Sequence, residues 1–291
     1  MKSYQYEKVD IKNKVVLVTG ASSGIGKATA SLLNKEDAVV VLMARSEERG
    51  KAALQEMQAE YEGQLHLMLC DLADLSSIQN FVEEFQAKFD HLDILINNAG
   101  FISLDRQETV DGFERQFGVN HLGHFYLTLA LVKMMPKKSR IINVSSGAHK
   151  IGKIHFEDLQ LKKNYHVMKA YGQSKLANIL FTRELAQRLK PYEITVNAVY
   201  PGAVATDMGV NRDTQFGRKL VASLKPFFLT PEQGAETSVY AATAYEMNRV
   251  TGAYLYQCEI SKTSKAAKNR SDAIRLFEES ERLTGISFKK E

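Results

Sequence analysis

Seven short runs of apolar, mostly β-branched residues recur along the chain, at 14–19, 38–43, 64–69, 93–96, 140–144, 194–199 and 253–256. Most are continuous rather than alternating, the pattern of strands covered on both faces by crossover helices. The segments between them, 26–35, 47–61, 76–89, 111–134, 171–189 and 231–245, carry apolar residues at three- and four-residue spacing and predict helices. This alternation predicts an α/β protein with a doubly wound, seven-stranded, mostly parallel sheet and helices on both faces. No Pro/Gly/Ser-rich linker interrupts it, and all five prolines lie at Pro136 or beyond, so residues 1–291 are expected to form a single domain. Only 201–230 breaks the rhythm. That stretch is a candidate lid, with Phe216, Leu220, Phe227 and Phe228 suited to roof an apolar pocket. The stretch 271–283 reads as an amphipathic helix covering the sheet edge.

Composition narrows the class. With 44% hydrophobic and 25% charged residues, a packed globular core is expected and disorder, collagen and coiled coil are excluded. The apolar runs fall far short of the roughly 18 residues that a bilayer-spanning helix needs. Residues 1–12 are polar and of both charge signs, unlike a secretory leader. Two cysteines, Cys70 and Cys258, make no disulfide framework or metal-ligand spacing, so a reducing, cytoplasmic location without a bound metal is expected. The net charge of +4 is spread along the chain, too diffuse for a nucleic-acid footprint.

Directly after the first run comes Thr19-Gly20-Ala21-Ser22-Ser23-Gly24-Ile25-Gly26, and then a helical pattern. Glycines there permit the turn, close backbone approach to a pyrophosphate and tight helix–strand packing, while the helix N-terminus offers free N–H groups. The segment 20–26 is therefore a candidate dinucleotide-binding loop of a Rossmann fold, and the missing Gly-Lys-Ser/Thr ending excludes a P-loop. The second run ends in Leu42-Met43-Ala44-Arg45-Ser46, with Arg45 where a carboxylate would accept from the ribose of NAD. A planar guanidinium there suits a 2′-phosphate, so NADP(H) is favoured over NAD(H). Lys27 reads as surface charge at a helix start. Asp71, with Leu72 at the tip of the third run, is a candidate for the adenine amino group or for capping the next turn.

Tyr171 and Lys175, four apart at a helix start, share one face, and an ammonium beside a phenol favours the phenolate. Alone the pair is common. Together with the loop 19–26, Asn97-Asn98-Ala99-Gly100, Asn120, Ser145-Ser146 and Pro201-Gly202, all in order, it makes a chain that resembles the short-chain dehydrogenase/reductase family along nearly its whole length. The stretches 120–125, 144–149, 154–156, 174–178 and 279–285 are similar to its retinol-dehydrogenase-like branch. The resemblance implies that Tyr171 exchanges the proton with a carbonyl or alcohol oxygen, and that Lys175 lowers its pKa and holds the nicotinamide ribose. It implies that Ser146, rather than Ser145, binds the same oxygen and that Asn120 holds a water linking Lys175 to solvent. Asn97, Asn98, Ala99 and Gly100 are then expected to line the adenine-ribose side of the cofactor, and Pro201, Gly202, Val204 and Thr206 the nicotinamide side.

The expected activity is NADP(H)-dependent interconversion of an aldehyde or ketone and its alcohol, on a small to medium apolar substrate. A catalytically silent nucleotide-binding sensor or scaffold is the alternative, and the intact Asn120, Ser146, Tyr171 and Lys175 argue against it. An epimerase or dehydratase needs a larger substrate domain than the about ninety residues after Pro201 allow. The chain opens on a polar segment where membrane-bound retinol dehydrogenases carry an apolar anchor. Relatives often pair through the helices predicted at 111–134 and 171–189, which points to a homodimer or homotetramer. His121 and His124 read as packing residues, and His149 and His155 as solvated loop residues beside the site.

Overall fold

The computed structural model describes residues 5–203 and 229–290, so Val204, Thr206 and the four aromatic and leucine positions of the expected lid lie outside the described residues. Its sheet is built from β1 (Val15–Thr19), β2 (Val39–Ala44), β3 (Leu65–Leu69), β4 (Ile94–Asn97), β5 (Arg140–Val144), β6 (Thr195–Tyr200), β7 (Tyr254–Tyr256) and β8 (Glu259–Ile260). The order is β3-β2-β1-β4-β5-β6-β7-β8, parallel throughout except for the β7–β8 pair. All seven predicted strands are present. The eighth, two exposed residues returning antiparallel at the edge, is too short to leave a hydrophobic signal.

Alternate residues of the buried strands feed opposite layers. Val15 and Leu17 of β1 face one cluster, with Ile78, Phe81 and Phe85 of α3 (Leu75–Lys88), Phe125 of α5 (His124–Leu131), Phe181 of α6 (Val167–Leu189) and Phe277 of α8 (Arg270–Thr284). Val16 and Val18 face the other, with Ala30 and Leu33 of α1 (Gly24–Asn34), Met57 of α2 (Glu47–Glu60) and Val239 of α7 (Pro231–Thr243). α8 lies along α6, its Phe277 ring 4.9 Å from that of Phe125, rather than over the sheet edge as its pattern suggested.

Two helix starts differ from the sequence expectation. The helix predicted from 111 starts at α4 (Arg115–Phe117), because the Glu114 carboxylate accepts from the N–H groups of Gln116 and Phe117. It continues through a π turn, Gly118–Gly123, into α5. α6 begins at Val167, four residues before Tyr171, with the His166 ring accepting from Met168 N–H. Tyr171 thus sits in the second turn, inside the rigid part of the helix. Between β1 and β4 the strand order reverses, opening a crevice at the carboxyl ends of the strands. Among the described residues, no helix is long and apolar enough to cross a membrane.

Candidate active site

The crevice holds a cleft of about 600 Å³, walled by the residues that follow each of the first six strands. On its floor the chain leaves β1 through Gly20 at φ +66°, and a Cβ on Gly26 would lie 2.3 Å from the Gly20 oxygen and 2.5 Å from Asn98 Nδ2. Only glycine fits there. Ser23 starts α1 without a side-chain cap, and the first turn holds no acidic residue. By contrast α3 is capped by Asp74, whose carboxylate accepts from Ser76 and Ser77 N–H, and α2 carries Glu47 and Glu48 in its first turn. A helix start left open and free of negative charge is what an anion needs.

Thr19 ties this floor to the β4 loop. Its hydroxyl accepts from the N–H groups of Asn98 and Ala99, both at 2.9 Å, and donates to His124 Nε2 at 2.8 Å. The other ring nitrogen of His124 donates to the Asn120 carbonyl at 3.1 Å. Burial holds this imidazole down at about 4 and that of His121 at about 3, so both are neutral packing groups, as their sequence context indicated.

At one end of the cleft stand Arg45 and Arg49, flanking Ser46. Neither guanidinium has an acidic partner among the described residues, because Glu47 pairs with Lys51. Lys27 is turned away to Glu56. Asp71 and Leu72 line the same end, and the Asp71 carboxylate accepts from Ala73 N–H at 3.0 Å, the turn-capping alternative. Cys70 is buried beside them, its thiol pushed up to about 12 by desolvation.

At the other end Ser146, Tyr171 and Lys175 converge with Pro201 and Gly202. Ser145 and Ser146 are separated by their bonds. The Ser145 hydroxyl donates to the Lys175 carbonyl at 2.7 Å, while Ser146 Oγ accepts from Ala148 N–H at 3.2 Å and its hydroxyl is turned to the Tyr171 phenol. Lys175 is 2% exposed, donates to the Val144 carbonyl at 3.2 Å, and lies 5.7 Å from the centre of the Tyr171 ring. Burial brings its ammonium down to about 8. The Tyr171 phenol is raised, chiefly by desolvation, with the Ser146 hydroxyl pulling the other way. The sequence expectation of a lowered phenol is corrected on this point, because desolvation outweighs the charge four residues on.

Asn120 stands behind the cleft rather than in its wall. Its Nδ2 donates to the Phe101 carbonyl and to Ser174 Oγ, and its Oδ1 accepts from Phe101 N–H at 2.6 Å. His149 is fully buried, against the expectation of a solvated loop residue, since its turn folds under the loop at 264. His155 is half-buried. Sequence reasoning missed Arg49, four residues after Arg45 and visible by that spacing, and the walls Phe101, Ile102, Val119 and Tyr200. Tyr200, stacked on Tyr256 at 4.9 Å, directly precedes the Pro201-Gly202 pair that marked the place.

Residues 14–216 match the family described as short chain dehydrogenase. The chain belongs to the short-chain dehydrogenase/reductase family. Within this family, retinol dehydrogenase 12 of Mus musculus is 43% identical over 283 residues, spanning 96% of this chain and 89% of that one. An uncharacterised protein from Mycobacterium Paratuberculosis superposes with a TM-score of 0.79 at 33% identity, over 97% of each chain. A blue fluorescent protein from a metagenomic library, solved in complex with NADPH, superposes with a TM-score of 0.68 at 29% identity, over 85% of this chain and 97% of that one. The chain is thus a short-chain dehydrogenase/reductase of the retinol-dehydrogenase-like branch, an oxidoreductase of alcohol and carbonyl groups that uses a nicotinamide dinucleotide. The cleft fits such a cofactor: a floor that a Cβ would block, an uncapped helix start, and two guanidiniums without an acidic partner among the described residues.

Proposed function

We propose that this short-chain dehydrogenase/reductase interconverts an apolar aldehyde or ketone and its alcohol with NADP(H) in preference to NAD(H). The observation that carries the cofactor preference is the pair Arg45 and Arg49 in the cleft wall, with Ser46 of the same turn beside them. Two guanidiniums match a phosphate dianion, whereas an NAD site offers a carboxylate to the ribose hydroxyl. Residues Gly20 to Gly26 receive the pyrophosphate, and Asp71, Leu72, Asn98, Ala99 and Gly100 the adenosine side. The NADPH complex of the metagenomic relative supports the same reading.

When bound, the nicotinamide exchanges a hydride with the substrate carbon. Ser146, in the cleft wall, donates its hydroxyl hydrogen to the substrate oxygen, where charge develops. Tyr171 hands that oxygen its phenolic proton in reduction and takes one in oxidation. Burial keeps the phenol protonated at neutral pH, which suits it as an acid and supports carbonyl reduction there; oxidation calls on the phenolate and gains as pH rises. Lys175, brought down to about 8, is still cationic at neutral pH and holds the ribose. Asn120 fixes Phe101 to Ser174 and keeps the second lone pair of its carbonyl for a water that links Lys175 to solvent. Phe101, Ile102, Val119 and Tyr200 give the substrate end an apolar wall. The name of the relatives makes retinol, an apolar alcohol, one of the substrates to assay. The single eight-stranded sheet supports reading residues 1–291 as one domain.

Parallel fluorescence titrations with NADPH and NADH test the cofactor reading, using wild type, Arg45→Ala and Arg49→Ala. The expected outcome is tighter NADPH binding, weakened about 10-fold or more in each variant, with NADH binding unchanged. Equal binding of both cofactors by wild type overturns it.

A further inference from the structure

The turn Gly147–Lys150 after β5 carries Ser146 at its head and His149 inside it. The His149 ring is completely buried, so it touches no substrate, yet both of its nitrogens are engaged. Nδ1–H donates to the Ser146 carbonyl at 2.7 Å, which leaves Nε2 as an acceptor, and Ser264 N–H donates to it at 3.3 Å. The ring edge meets Tyr254 of β7 at 4.9 Å. One residue before Ser264, Thr263 Oγ1 accepts from Arg183, which stands on α6, the helix that carries Tyr171 and Lys175. On its other side the turn runs into Gly152, whose Cα lies so near α6 that a Cβ there would be 2.2 Å from the Gly172 oxygen.

We propose that His149 is a positioning residue: by joining the Ser146 carbonyl to the backbone of Ser264, it ties the turn bearing Ser146 to a loop that is itself anchored on α6, and so fixes the Ser146 hydroxyl against Tyr171. The inference rests on the proposed roles of Ser146 and Tyr171. The bridge works only with a neutral imidazole, because a proton on Nε2 points at the Ser264 N–H and removes the bond. The charged groups acting on the ring are Lys150 of its own turn and Arg183 of α6, both cations, and Tyr254, facing it from β7, has a phenol raised by burial. Burial, with the two cations adding to it and the bond to the Ser146 carbonyl opposing it, holds the imidazole below its ordinary value, so the bridge is intact at neutral pH and is lost on acidification.

Three variants dissect it, assayed with octanal and NADPH. His149→Phe keeps a ring against Tyr254 and loses both bonds; the expected result is a kcat lower by roughly 10-fold to 100-fold, with KM for NADPH within about twofold. His149→Gln retains an acceptor near Nε2 and His149→Asn a donor near Nδ1, and each is expected to recover part of that loss. Wild type is expected to lose kcat on the acid side, below the ordinary histidine range, and this limb is expected to vanish in His149→Gln, which does not titrate. A wild-type kcat in His149→Phe, or an acid limb unchanged in His149→Gln, overturns the proposal; if His149→Phe does not fold, the pH profile of His149→Gln decides alone. Tyr171→Phe is run alongside. Wild-type turnover in that variant defeats the catalytic reading itself, whereas an inactive Tyr171→Phe beside a fully active His149→Phe defeats only the bridge.

Discussion

Burying Lys175 takes an ammonium out of water with the Val144 carbonyl to receive it, and that oxygen already has a second donor in Asn178 Nδ2 at 3.1 Å. Lys175→Met therefore leaves the carbonyl satisfied and removes a desolvated charge, at nearly equal volume. The expected outcome is an inactive protein more stable than wild type by on the order of 1–3 kcal/mol in denaturant melts at pH 7 without cofactor. Because the folded ammonium titrates at about 8 and the unfolded one near 10.5, the unfolded chain holds more protons between those values. Wild-type stability should thus gain from this group as pH rises through that window, and the gain should be missing in the variant. The lysine and tyrosine were legible in the sequence as a pair at helical spacing, but the direction of the phenol shift was not, since spacing reports proximity and not burial. Ser146 was preferred to the adjacent Ser145 through the family resemblance alone, since nothing local to the pair says that one hydroxyl is spent on the Lys175 carbonyl. His149 was misplaced for the same reason: nothing local to 144–155 announces a loop more than a hundred residues later folding over it.

Elements meet at Thr19, the last residue of β1 and fully buried. One hydroxyl accepts from two successive N–H groups of the β4 loop and donates to a histidine of α5, so it fixes three elements around the cofactor floor. Thr19→Val preserves shape and strand propensity while leaving Asn98 N–H, Ala99 N–H and His124 Nε2 without this partner. Thermal and denaturant unfolding should show a loss of about 2–4 kcal/mol, and NADPH titration a Kd higher by at least about 10-fold, as Asn98 and Ala99 drift from the floor. The strand-turn-helix frame around this hub was legible, because continuous apolar runs and glycine spacing are local signals. The π turn Gly118–Gly123 and the four extra residues at the head of α6 were not. The head of α6 is set by the His166 ring reaching the Met168 N–H, as the start of α4 is by Glu114, and hydrophobic periodicity registers neither caps nor a change of helical pitch.

Across the whole molecule helix α6, which carries Tyr171 and Lys175, has the cleft at its N-terminal half and α8 along its length. The sequence marked 271–283 as amphipathic but not its berth, since a period of three to four says that a face is buried and leaves open against what. The structure puts Phe277, 1% exposed, against Phe125 and Phe181, under the Arg188 guanidinium at 3.9 Å, and Ser280 where it accepts from His121. Phe277→Ala opens a cavity in the layer shared by α3, α5, α6 and α8, and the expected cost is about 3–5 kcal/mol, a fall in Tm on the order of 10 °C. Arg188 and Phe181 lie further along α6 than Lys175, whereas the floor of the cleft is set by Gly20, Gly26 and Asn98, after β1, at the head of α1 and after β4. A ligand that binds only the folded state raises Tm according to its affinity for that state. Paired melts with and without saturating NADPH should therefore show a variant that starts lower and is stabilised by NADPH as much as wild type. A smaller increment in Phe277→Ala would mean instead that the packing of α8 reaches the cleft through α6, and that the two halves of that helix do not behave independently.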